Sequence, residues 1–247
     1  QGELFFKNKQ KFKYDWYEQS LNGKQKSGFD FYSAHFYLKN VKFIKALAIG
    51  DYQATFGQGL TVWSGQAFGK SSEVMTSKKS ARGISPYTSV DENRFMRGIA
   101  TTLGYKKLEV TGFYSRKHID ANVSDTTDTG ETAEISSLQE TGYHSTASEI
   151  ADKDAILQTM IGGNVSYKGK RLNVGISAMS YQLDVNFNRS LSYYNQFEFT
   201  NDSSHYKNLN IGIDYNYIFR NFNFYGEESM SKNGGKAFVN GVLISLD

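Results

Sequence analysis

The chain has 247 residues and is 39% hydrophobic yet 15% aromatic, with 17 Tyr, 18 Phe, one Pro, no Cys and a net charge of +3. Without Cys there is neither a disulfide scaffold nor a thiolate metal centre, and so small a charge gives no ground for nucleic acid as a partner. No apolar run approaches the ~18 residues of a spanning helix, whereas a membrane barrel, which shows only alternate residues to lipid, is not excluded.

The chain opens at Gln1 without a signal peptide, as expected if a leader was removed or the parent sequence is longer. Residues 11–19 place Phe12, Tyr14 and Trp16 on one face against Lys11, Lys13 and Asp15, the period of two that marks a strand. After a polar link at 20–27, Tyr32, Ala34, Phe36 and Leu38 share a face, and the chain turns at 39–42. From Ile44 to Val62, Ala46, Ala48, Gly50, Tyr52, Ala54 and Phe56 are in phase. Lys45, Asp51, Gln53 and Thr55 lie opposite, with Leu47 and Ile49 blurring the separation. The 63–94 link is too irregular for a strand. Pairing resumes with Ile99, Thr101, Leu103 and Tyr105, reverses at Lys106-Lys107, and returns through Leu108, Val110, Gly112 and Tyr114.

The acidic link 117–158 follows, where Ser148 is the expected cap of a short helix over Glu149–Leu157. Ile161, Gly163, Val165 and Tyr167 then lead through a turn at 168–170 into Leu172, Val174, Ile176 and Ala178. Beyond a polar link at 184–207, Leu209, Ile211, Ile213, Tyr215, Tyr217 and Phe219 alternate with Asn210, Gly212, Asp214 and Asn216. Arg220-Asn221 reverses the chain, Phe222, Phe224 and Gly226 continue the alternation, and Ala237–Asp247 ends it.

The spacing therefore predicts an all-β, antiparallel up-and-down transmembrane β-barrel, with about ten strands visible and the chain forming part of a larger barrel. One barrel portion covers 1–247, with long outward loops at 63–94, 117–158 and 184–207. The links sort by length: short ones near 39–42, 106–107, 168–170 and 220–221 alternate with long ones, the asymmetry of periplasmic turns and external loops. Tyr105, Tyr167, Tyr217, Phe219 and Phe222 adjoin the short turns and are expected as an aromatic girdle. Lys13, Asp15, Asp51, Gln53, Asn210, Asp214 and Asn216 are expected to line a wet lumen. Folded inward, the 63–94 link would bring Lys70, Lys78, Lys79 and Arg82 into that lumen as a cationic constriction favouring anions; folded outward, it is a solvated loop.

Motifs for chemistry are weak. Gly65–Ser71 falls one residue short of a nucleotide-binding loop, and its glycines read better as relief at a strand end. Asp120–Asp125 starts like a calcium loop but lacks its glycine and spaced glutamate. His144, Ser145 and Glu149 supply the residue types of a hydrolase, as do His118 and Asp120, yet each set is bunched in a loop. His35, His118, His144 and His205 show no metal-ligand spacing. The expectation is a protein that is not an enzyme and carries no metal or cofactor.

Three stretches, Ala46–Arg82, Glu140–Lys153 and Ala237–Asp247, resemble the Bacteroidetes-type outer-membrane proteins whose full-length members carry an N-terminal helix-hairpin-helix region before a large β-barrel. The resemblance implies an internal portion of a longer barrel, integral to the outer membrane, with outer-membrane lipid and lipopolysaccharide as surroundings. It carries fold and location, not an activity. A porin-like pore, or a subunit of a larger envelope transport complex with other outer-membrane proteins, is the expected role. A secreted soluble β-sandwich adhesin is the alternative, and a barrel-embedded hydrolase a remote one.

Overall fold

Alternation at a period of two is realised in the central strands of the computed structural model, which describes residues 3–11, 31–65, 74–89, 91, 93–126, 132–140, 142, 146–187, 201–202 and 205–245. The strands in chain order are β1 (Glu3–Lys11), β2 (Phe31–Val41), β3 (Ile44–Thr55), β4 (Gly83–Pro86), β5 (Met96–Tyr105), β6 (Leu108–Ile119), β7 (Ala121–Thr126), β8 (Thr132–Leu138), β9 (Ile156–Lys168), β10 (Leu172–Leu183), β11 (Asn186–Phe187), β12 (Asn201–Asp202), β13 (His205–Phe219), β14 (Phe222–Ser231) and β15 (Lys236–Ile244). A 3₁₀ turn, Val74–Ser77, and one short helix, α1 (Ala147–Ala151), complete them.

Ten strands form one antiparallel meander in the order β1-β2-β3-β5-β6-β9-β10-β13-β14-β15, with β4 added to β3 and β12 to β13. Among the described residues β1 and β15 have one partner each, so the sheet does not close on itself. The four-residue turn 232–235 lies at one end, and the shorter turns 42–43, 106–107, 169–171 and 220–221 all fall at the other. Lys42, Lys106 and Arg220 there adopt positive φ of 53°, 54° and 52°, as tight hairpins that follow the strand twist require.

Register displays the chemistry of the two faces. Across β5, β6, β9, β10 and β13, Leu103, Val110, Val165, Ile176 and Ile213 stand opposite one another in one row. All five are on the outward face and 42% to 55% exposed. The row one residue away points inward and reads Thr102, Thr111, Asn164, Ser177 and Gly212. These polar side chains satisfy each other: Thr102 and Thr111 hydroxyls are 2.9 Å apart, and Asn164 Nδ2 donates to Ser177 Oγ at 2.9 Å. The sheet is apolar outside and polar inside, the reverse of an ordinary globular core.

A second sheet, β7, β8 and β11, adjoins the end opposite the short turns. Its surroundings are conventional, with Ile119, Ala121, Ile135, Ile156, Leu183, Val185 and Tyr206 buried together. The 117–158 link is thus structured rather than a simple loop. Its helix begins at Ala147, not at Glu149. Thr146 accepts from the Glu149 amide, and the Glu149 carboxylate accepts from the Thr146 amide at 2.9 Å. That reciprocal pair needs Ser/Thr three residues before Glu, a spacing that Thr146 meets and Ser148 does not.

One expectation falls outside the described residues and two change. The strand at 11–19 lies outside the described residues beyond Lys11, and with it Lys13 and Asp15; the first described strand is β1, paired from Glu3↔Lys39 to Lys11↔Phe31. The 63–94 link does not simply project outward, because β4 pairs with β3 and the described remainder packs against the inner face. The faces of β3 are also exchanged. Ala46, Ala48, Tyr52, Ala54 and Phe56 lie in the buried cluster with Val62, Ile84 and Phe113, and Leu47 and Ile49 turn outward. Small side chains on β3 leave room for the folded link, and only the tertiary structure supplies that link. At Gly50, φ is +95°, and an added Cβ would strike the Ala34 carbonyl oxygen, so the close approach of β2 to β3 requires glycine here.

Candidate functional site

The inner face surrounds a cavity of about 520 Å³ near the short-turn end, lined by residues of β2, β3, β5, β6, β9, β10 and β13 and by the inserted link. Residues 56–65 cross this space. Thr55 bridges Trp63, the Phe56 amide donates to Val62 O at 3.1 Å, and Ser64 Oγ accepts from the Ala54 amide at 2.8 Å. The turn at Gly57 (φ +56°) then brings the chain against Glu227 of β14.

Glu227 is the anchor. It is 2% exposed, and its carboxylate accepts from three backbone amides: Gln58 at 2.6 Å and Leu60 at 3.0 Å on Oε2, and Thr61 at 2.9 Å on Oε1. Thr61 Oγ1 also donates to Ser229 Oγ at 3.1 Å. Charge-assisted bonds of this kind contribute about 1.5–3 kcal/mol each, and they offset the cost of burying the carboxylate. The segment is thereby tied from β3 to the far side of the sheet.

Residues 74–89 extend the insertion. Ser77 Oγ lies 3.0 Å from Tyr225 OH, the Lys79 amide donates to Gln58 Oε1 at 2.9 Å, and Tyr37 OH donates to Ile84 O at 3.1 Å. Lys79 Nζ sits 4.9 Å from the Trp63 ring centroid and Lys78 Nζ 5.8 Å from that of Tyr225. Burial lowers the Lys78 ammonium from its usual lysine range. Arg82 Nη2 donates to Gln53 Oε1 at 3.1 Å.

Of the expected lining residues, Asn210, Asp214 and Asn216 are on the inner face, and Asp214 and Asn216 border the cavity together with Lys78, Lys79 and Arg82. Lys70 lies outside the described residues. Asp51 does not line the cavity. It is 1% exposed, and Arg97 Nε and Nη2 donate to its two oxygens at 2.7 and 3.0 Å while the Ala34 amide donates at 3.2 Å. Gln53 is likewise held by Arg82 and by Arg94 O, under the folded link. Alternation puts both in the lumen only if the alanine face of β3 points outward; with that face packed in the buried cluster, neither borders the cavity.

The Asp51–Arg97 fork gives an expected result. Arg97→Ala should lower stability by about 3 kcal/mol, because it leaves Asp51 buried without its partner. Arg97→Met combined with Asp51→Leu should recover most of that loss. Urea unfolding midpoints decide it; equal midpoints for wild type and Arg97→Ala would remove the pair from the stability argument.

The outward aromatics form the other feature. Tyr105, Tyr167, Tyr217 and Phe219 are exposed beside the short turns, and Phe222 stacks on Phe224 at 6.1 Å. Cations sit over them: Lys106 Nζ is 5.3 Å from the Tyr105 centroid, Lys107 Nζ 5.8 Å from Tyr167, and Arg220 Cζ 5.5 Å from Phe219.

The hydrolase sets do not assemble among the described residues. His144 and Ser145 lie outside them, and Glu149 caps α1. His118 Nδ1 is 3.2 Å from Asp154 O, and Asp120 accepts from the Asp154 amide at 2.9 Å, both serving the fold. Among the described residues no group of His, Asp and Glu could hold a metal ion. Sequence reasoning missed Glu227 as an anchor: its place on a polar face is legible, but the turn that it holds lies 169 residues away. It places Lys45 on the polar face of β3 without naming it as lining, and a β-bulge between Ile44 and Ala46 sends Lys45 inward across Gly104. Comparison with protein-family models and with curated proteins returned no match for this chain.

Proposed function

We propose that this chain forms wall strands of an outer-membrane β-barrel that serves as a pore for small polar solutes, its passage narrowed by the inserted link. The observation that carries this reading is the inverted polarity of the meander. A row of Leu, Val and Ile faces outward, while Thr, Asn and Ser one residue away face inward and satisfy each other. In water the outward row would be an apolar patch without purpose; in lipid it is the required surface.

Dimensions support the same reading. Leu209 to Phe219 covers about 33 Å along β13 at ~3.3 Å per residue and about 23 Å in height at a ~45° tilt, close to the ~25 Å band of outer-membrane barrels. Exposed rings capped by Lys106, Lys107 and Arg220 suit a headgroup boundary. The small sheet with its own apolar core then stands beyond the opposite boundary. It favours a second reading, in which the chain belongs to a larger envelope assembly and this sheet meets the partner.

Extraction tests the proposal. The protein should resist salt and carbonate washes of cell envelopes and enter solution only with detergent. Release by salt or carbonate would end the barrel reading in favour of a soluble adhesin. A native mass near that of the protein plus one micelle favours the pore, and a much larger particle favours the assembly.

A further inference from the structure

Six cations border the 520 Å³ cavity: Lys39 of β2, Lys45 from the bulge in β3, Lys168 at the end of β9, and Lys78, Lys79 and Arg82 of the inserted link. Only two carboxylates share the lining, Glu109 and Asp214. Among the described residues none of the six cations lies within 4.0 Å of a carboxylate oxygen; the ion pairs found belong to Arg94 and Arg97. Cations from four separate elements thus outnumber the carboxylates of one lining three to one, and like charges gathered along a cleft repel one another and favour an anion. A bulge that turns Lys45 inward, where regular alternation would point it outward, adds to that cost rather than relieving it.

We propose that this cavity binds a small multivalent oxyanion, of the phosphate-ester or di- and tricarboxylate class. Its volume lies within the ~300–1,000 Å³ usual for small-molecule sites. Lysines serve as point charges for such groups, and the Arg82 guanidinium, one nitrogen of which is held by Gln53, adds a further positive charge to the lining. Amides of Asn173 and Asn216 supply neutral hydrogen-bonding groups for the rest of the solute. The cavity lies on the polar face, away from the apolar surface where acyl chains would run, so the ligand is a free solute and not a lipid headgroup. The site deepens the pore reading by naming its solute, and rests on that reading only for the route of arrival.

Isothermal titration of the detergent-solubilised protein with inorganic pyrophosphate and with citrate tests this, with glucose as the neutral control. Saturable binding of either anion, weakening with added salt and absent for glucose, is expected. Lys45→Gln with Lys168→Gln should raise Kd at least ten-fold, Glu109→Gln should lower it, and Lys232→Gln at the opposite end should leave it unchanged. No saturable heat from either anion would overturn the site, as would equal affinity in the double variant with wild-type circular dichroism. Neither result bears on whether the envelope releases the protein without detergent, so the two failures are separable.

Discussion

Replacing Glu227 with Ala is expected to release the segment that crosses the cavity. Three amides would lose charge-assisted bonds, each contributing about 1.5–3 kcal/mol, and a factor of ten in an equilibrium corresponds to about 1.4 kcal/mol. Hydrogen exchange at Gln58, Leu60 and Thr61 should therefore accelerate at least ten-fold, with the β9–β10 ladder unchanged. Glu227→Gln should fall between, because its amide nitrogen would face an N–H donor instead of accepting one. In the pore reading the same variant opens the passage, and single-channel conductance should rise. Unaltered exchange at all three amides would remove Glu227 as the anchor. Faster exchange with unaltered conductance would leave the anchor intact but detach it from permeation.

Ile161→Arg is expected to cost far more in a bilayer than in water. Ile161 is 56% exposed on the outward face of β9, six residues from Tyr167, about 14 Å in height at ~3.3 Å per residue and a ~45° tilt and so near the middle of a ~25 Å band. On a protein surface in water such a change stays within about 0.5 kcal/mol. At the midplane of a bilayer an outward Arg on a barrel costs about 2–4 kcal/mol. Folding into liposomes, followed by denaturant titration, should thus show a loss of that size for Ile161→Arg. Asn216→Lys, on the inner face, should be tolerated. An unperturbed Ile161→Arg variant would mean that the outward face does not meet lipid.

Most of the strand layout was legible in the residues because alternation is local. A strand's two faces are written by neighbours two positions apart, so the outward residues of β6, β9, β10 and β13 are legible, as are the Lys106-Lys107 reversal between β5 and β6 and the Arg220-Asn221 reversal between β13 and β14. Their ends were less legible. β6 and β9 pair as far as Ile119↔Ile156, well into the stretch read as a polar link, because pairing there is sustained by the second apolar core and not by alternation alone.

What the sequence by itself determined is the meander: about ten strands, short turns gathered at one end, and apolar outward faces on its central strands. Tertiary structure decided everything that depends on contacts distant in the chain. Which face of β3 is inner turned on whether the 63–94 link enters the concavity, and that entry is held by bonds between the Gly57–Thr61 turn and Glu227, up to 169 residues apart. Alanine and tyrosine on β3 look lipid-facing until a folded segment occupies the space beside them. Lys45 points the wrong way by alternation, and only the bulge against β5 turns it into the cavity. Local period sets which residues share a face; long-range packing sets which face is the inside.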